Sequence, residues 1–130
     1  MQHLLRVNAL LTATAVLALL FGIGQALIPG VLLSIFNVTL DVNADLFART
    51  LGGTWLGYAL LNWRARGGAL DFQRAVVAAD LIVAVLGAVI SLYAIALRTG
   101  SPLMWVWVAL FSIFGAWQAY VLWSPANRPE

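Results

Sequence analysis

Apolar residues in this chain do not alternate with polar ones; they fall into four long runs, Ala9 to Ile28, Leu46 to Trp63, Ala75 to Leu97 and Leu103 to Trp123. Each run is close to the ~20 residues that, at 1.5 Å rise per residue, cross a ~30 Å hydrocarbon layer. The pattern predicts four membrane-spanning helices over about 9–28, 46–63, 75–97 and 103–123. Pro29-Gly30 ends the first, because proline cannot continue the hydrogen-bond ladder and glycine permits the turn. Val31 to Asp45 is too short to span, and its apolar first half reads as an interfacial helix or turn. The expected fold class is all-α: a polytopic membrane protein, one domain over residues 1–130, built as a four-transmembrane-helix bundle with a short interfacial segment between helices 1 and 2.

Within the runs the residues sort onto faces. Asp45 and Arg49 are four apart, so on a helix they meet and neutralise each other as an ion pair near the outer membrane boundary. Gly53 and Gly57 continue that face and let another helix approach closely, from this chain or from a second copy. In the third helix Asp80, Ala84, Gly87, Ser91 and Ala94 recur at steps of three and four, while Ile82, Leu86, Val89 and Tyr93 lie opposite. That predicts a small, close-packed face toward the bundle and a bulky face toward lipid or a partner. The fourth helix carries Trp107, Phe111, Phe114 and Gln118 on one stripe.

Composition narrows the class. Hydrophobic residues make up 63% of the chain and charged residues 9%, against the ~25% charged that is usual in soluble domains. There is no cysteine, so disulfides, thiolate metal sites and cysteine nucleophiles are excluded. His3 is the only histidine and lies in the N-terminal segment, away from any haem or metal centre inside a bundle. The first apolar run exceeds the ~7–15 residues of a signal-peptide core and reads as a span. The net charge of +2 rests on arginine. Arg6, Arg64, Arg66, Arg74 and Arg128 fall on one side of the predicted membrane, against Arg98 and Arg49 on the other. The positive-inside rule then places both termini in the cytoplasm of a bacterial inner-membrane protein. Trp63 and Trp123 fall at the inner interface and Trp105 and Trp107 at the outer one, as an aromatic belt requires. No basic stripe suits nucleic acid.

Asp80 is the residue that most resembles a functional group. It lies six residues past Arg74, roughly 9 Å into the membrane, where a lone carboxylate costs on the order of 3 kcal/mol. Asn8, Asn62, Tyr58 and Gln118 reach the same inner half and are expected to cluster around it. Such a cluster serves either as a proton, cation or head-group site or as a hydrogen-bonded clamp between helices. The stripe of Trp107, Phe111 and Phe114 likewise fills a core against small neighbours, or lines a groove for a quinone, carotenoid or lipid tail with Gln118 or Asp80 at its polar end. Arg49, roughly 15 Å in depth from Asp80, pairs with Asp45 in preference to a substrate anion. No phosphate loop, Ser/His/Asp set or catalytic carboxylate pair is present, and catalysis is not expected.

Arg6-Val-Asn8-Ala-Leu, then Pro29-Gly30, then Leu46-Phe-Ala-Arg49-Thr-Leu-Gly52-Gly53 and a final Trp63 resemble small four-helix bacterial membrane proteins of the DoxX-like kind. The resemblance covers about the first half of the chain and implies the four-span topology and no activity. The expected function is a non-catalytic accessory, assembly or stabilising subunit of a larger membrane complex, respiratory or photosynthetic. The competing class is a small transporter or a lipid- or quinone-binding protein that uses the Asp80 cluster. Partners expected on either reading are membrane lipids and other membrane subunits or a second copy, with no cofactor required.

Overall fold

A computed structural model of the chain describes residues 2–98 and 101–124, with side chains from Val7 onward. The side chains of His3 and Arg6, together with Thr99, Gly100, Pro125 and Arg128, lie outside the described residues. The elements are helices α1 (Gln2–Leu27), α2 (Pro29–Ser34), α3 (Val42–Ala65), α4 (Leu70–Ala96) and α5 (Met104–Trp123). The all-α class is as the apolar pattern predicts, and the helix ends follow local chemistry. α1 stops at Leu27, and Pro29, having no N–H to donate, opens the short α2. Asp41 caps α3, its side chain accepting the Ala44 N–H at 2.8 Å.

Around the arginine-rich turn the helices run past the apolar segments. α3 starts at Val42 and continues to Ala65, with Arg66 as its C-cap, and α4 begins at Leu70, so Asp71, Gln73 and Arg74 are helical and not loop. A helix leaving a bilayer carries polar residues on its last turn without breaking its ladder, so the apolar run marks the buried stretch and not the helix end.

α1 lies along α3 and α4 along α5, giving two close helix pairs. Small residues set the approach inside each pair. A Cβ added at Gly52 would lie 2.5 Å from the backbone nitrogen of Ala26, so only glycine lets α1 and α3 cross there. In the other pair the Phe111 ring lies on Gly87, where a Cβ would come within 2.6 Å of it. Gly53 and Gly57 are open instead, with nothing within 4 Å of an added Cβ. The α1–α3 crossing therefore falls one residue away from the glycine face predicted from Asp45 and Arg49. Between the pairs the contact is made by longer side chains. Val7, Leu10 and Leu11 of α1, Ala65 of α3, Val76 and Val77 of α4 and Val121 of α5 form the core, flanked by Phe114, Trp117 and Leu122.

Among the described residues three helices are long and apolar enough to cross a membrane: Val7–Leu27, Leu70–Ala96 and Met104–Trp123. This is the composition of a helical membrane protein. α3 is 24 residues long yet falls outside that set. Asp45, Arg49, Thr50, Thr54, Asn62 and Arg64 lower its apolarity. The bulky face of α4, with Ile82, Leu86, Val89 and Tyr93, is exposed, while Asp80, Ala84 and Ser91 are buried.

Gly52→Val is expected to destabilise the fold by ~2 kcal/mol or more through overpacking against Ala26, whereas Gly53→Leu leaves the unfolding midpoint of the monomer in mild detergent nearly unchanged. Equal losses at both positions would contradict the crossing described.

Candidate functional site

Asp80 lies ten residues into α4, about 15 Å along its axis. It is 1% exposed, and Asn62 of α3 is fully buried beside it. The Asn62 amide donates to Asp80 Oδ1 at 3.2 Å and to the Tyr58 carbonyl at 3.2 Å, using both of its hydrogens. The Tyr58 phenol adjoins both side chains. These contacts join the two helix pairs through a polar link inside an apolar bundle, where each such group needs a partner. The matching is incomplete. Asp80 Oδ2, Asn62 Oδ1, Gln118 Oε1 and Thr14 Oγ1 are buried with no hydrogen-bond partner.

Three of those four side chains converge on one space. A pocket of about 70 Å³ lies between the helix pairs, with Thr14, Tyr58, Asp80 and Gln118 among its lining residues. Its walls are Phe21, Trp55, Trp107, Phe111 and Phe114, with aliphatic side chains between them. Trp107 is the hub of the aromatic wall. Its ring is 4.5 Å from Phe21, 5.6 Å from Phe36 and 5.5 Å from Phe111, the last stacked at 22°. The Ser101 N–H donates to the Phe36 carbonyl at 3.1 Å, tying the α2–α3 loop to the start of α5. Rings of this size hold the pairs apart where glycine and alanine draw helices together, and the pocket is the resulting gap.

Asp80, Asn62 and Tyr58 adjoin one another, and Gln118 lines the same pocket as Asp80 and Tyr58, as do Thr14 and Trp55, which the residue pattern does not single out. Trp55 is legible in retrospect, since it stands three residues before Tyr58 and meets its ring edge-on at 5.7 Å. Asn8 belongs elsewhere. It accepts a hydrogen bond from Gln73 Nε2 at 3.3 Å, and Gln73 also donates to the Arg66 carbonyl at 3.1 Å. Arg66 Nη1 donates to Thr12 Oγ1 at 3.3 Å, closing a second network at the arginine-rich end of the bundle. Trp107 is turned into the bundle and is not part of an exposed belt, while Trp63, Trp105 and Trp123 remain exposed.

Arg49 and Asp45 form an ion pair, Nε to Oδ2, at 2.7 Å. Arg49 Nη1 also donates to the carbonyls of Ala26 and Leu27 at 2.9 and 3.2 Å. Those two carbonyls lose their helical partners where the chain breaks at Pro29, and a cation at a helix C-terminus also suits the backbone dipole. Arg49 is thus occupied as a cap. Ala84 and Gly87 lie on the α4 face that meets α5, against Gly115 and Phe111. Among the described residues no three His, Cys, Asp or Glu side chains come together.

Fold and site together define a helical protein of membrane type with an aromatic pocket ending on a buried carboxyl. Comparison with protein-family models, curated proteins and solved structures finds no match to the chain. The DoxX-like resemblance therefore rests on the quoted residues of the first half alone.

A double-mutant cycle with Asp80→Leu and Asn62→Leu, measured by unfolding in detergent, is expected to give a coupling of ~1–2 kcal/mol, with each single variant destabilised by a stranded polar partner. Additive losses would mean that the two side chains do not support one another.

Proposed function

We propose that this protein is a non-catalytic membrane protein that holds an amphiphile between its two helix pairs. The hydroxyl-bearing head of the amphiphile meets Asp80, Gln118 and Thr14, and its hydrocarbon body follows the Trp107–Phe111 wall. What supports this reading is an apolar pocket walled by aromatic rings and lined by three residues, Asp80, Gln118 and Thr14, that each keep a buried oxygen without a hydrogen-bond partner. Carboxyl, amide and hydroxyl groups together offer donors and acceptors to a polar head such as that of a quinol, a prenyl alcohol or a hydroxylated carotenoid. The pocket has the volume of about two waters at ~30 Å³ each, enough for the polar head, and the body extends toward the bilayer.

In this reading α3 crosses the bilayer as a fourth span. Its 24 residues reach ~36 Å, and its polar groups are absorbed by the Arg49 cap and the Asp80 link. Both termini are cytoplasmic in a bacterial inner membrane, with the Arg64 to Arg74 turn inside. A second reading, as an accessory or assembly subunit of a larger membrane complex, draws on α5, which buries only Gln118 and Val121 while Trp105, Ile113, Tyr120 and Trp123 stay exposed. It is compatible with ligand binding, since a partner subunit covers that face as well as lipid does.

Extraction into mild detergent followed by mass spectrometry of the organic extract tests the pocket. Wild type is expected to retain about one amphiphile per chain, and Asp80→Leu combined with Gln118→Leu to lower retention by ~10-fold or more, the worth of one to two hydrogen bonds. Equal retention in the variant, or none in wild type, contradicts the reading. Topology is tested separately. Because the chain lacks cysteine, Gly67→Cys is expected to be labelled by an impermeant maleimide only from the cytoplasmic side and Asn43→Cys only from the outside; labelling of both from one side would remove the α3 span.

A further inference from the structure

A second depression, of about 270 Å³, runs along the seam of α1 and α3. Its floor is made of the buried Ala15 and Ala59, and its walls of the exposed Val16, Leu19 and Leu60. Trp63 closes one end. Over the Trp63 ring, 3.3 Å from its centroid, sits the guanidinium of Arg66. That guanidinium is held in place by two bonds, from Nε to the Trp63 carbonyl and from Nη1 to Thr12 Oγ1, both 3.3 Å. Neither acceptor carries a charge, and no described carboxylate lies within ion-pair distance of Arg66. An apolar depression thus ends on an aromatic ring that carries a fixed cation with no described carboxylate paired to it.

We propose that this seam is a binding site for one anionic phospholipid. An acyl chain lies on Ala15 and Ala59, the glycerol region meets Trp63, and the phosphate meets the remaining N–H groups of Arg66. The planar fork of arginine suits two phosphate oxygens, and its stacking on Trp63 keeps that fork at one depth. Tryptophan at the head-group level is the usual interfacial placement. The site is separate from the Asp80 pocket and shares no lining residue with it. It rests on the membrane placement proposed above and not on the identity of the pocket amphiphile.

Native mass spectrometry of delipidated full-length protein, titrated with a phosphatidylglycerol and a phosphatidylcholine of identical chains, tests the proposal. Wild type is expected to hold one phosphatidylglycerol with at least fivefold higher occupancy than the choline lipid. Arg66→Gln abolishes that preference, Arg66→Lys retains part of it, and Leu19→Trp, which fills the channel, lowers binding of both lipids. An unchanged preference in Arg66→Gln, or unchanged binding in Leu19→Trp, overturns the site while leaving the membrane reading intact. Failure of wild type to bind either lipid overturns both.

Discussion

A carboxyl group buried in the middle of an apolar helix must be matched by polar atoms from its neighbours, and the hydrogen bond from Asn62 to Asp80 is where this protein meets that demand. The bond crosses between the two helix pairs, where backbones stand too far apart for small residues to hold them. Each pair is closed by its own glycine contact, at Gly52 and at Gly87, but the relation of one pair to the other depends on the Asn62–Asp80 link and on the Leu10, Leu11 and Val77 core beneath it. The polar link favours one register of the pairs, since sliding would part Asp80 from the Asn62 amide.

The pocket follows from the same geometry. Trp107, Phe111 and Phe114 on α5, with Phe21 on α1 and Trp55 on α3, are too large to let the pairs close, and they leave a gap beside the Asp80 cluster. One oxygen of Asp80 accepts from Asn62, while the other, like Gln118 Oε1 and Thr14 Oγ1, is buried without a hydrogen-bond partner beside the gap. A site that binds an exchangeable head group must leave part of its hydrogen-bonding capacity unused, and a purely structural clamp gains nothing from doing so. At the opposite boundary Arg49 has its polar groups engaged within the protein, with an ion pair and two carbonyls on one guanidinium.

Much of this was legible in the residues, for identifiable reasons. Long apolar runs announce helices because the bilayer demands them, and the Asp45–Arg49 pair follows from their spacing of four. The small face of α4 and the facing stripe of α5 could be read from periodicity. What one strand of sequence does not fix is which neighbour a face meets. Gly53 and Gly57 continue the Asp45–Arg49 face, yet the α1–α3 crossing chose Gly52, one residue along and ~100° around the helix. Asn8 has the right depth for Asp80, but Gln73 and Arg66 lie on its side of the bundle and take it into a different network. Trp107 carries the same ambiguity, since a tryptophan near a helix end serves a membrane interface or an aromatic core with equal local propensity, and only packing on Phe21 and Phe36 decides.

An amphiphile held in the gap between the helix pairs would be visible in an experimental structure of the protein in lipid nanodiscs. Continuous elongated density is expected, beginning against Asp80, Thr14 and Gln118 and leaving along Trp107 and Phe111 toward the bilayer. A pocket holding only discrete waters, or one closed by rotation of Gln118 and Thr14 onto Asp80, would contradict it and make the cluster a self-contained clamp.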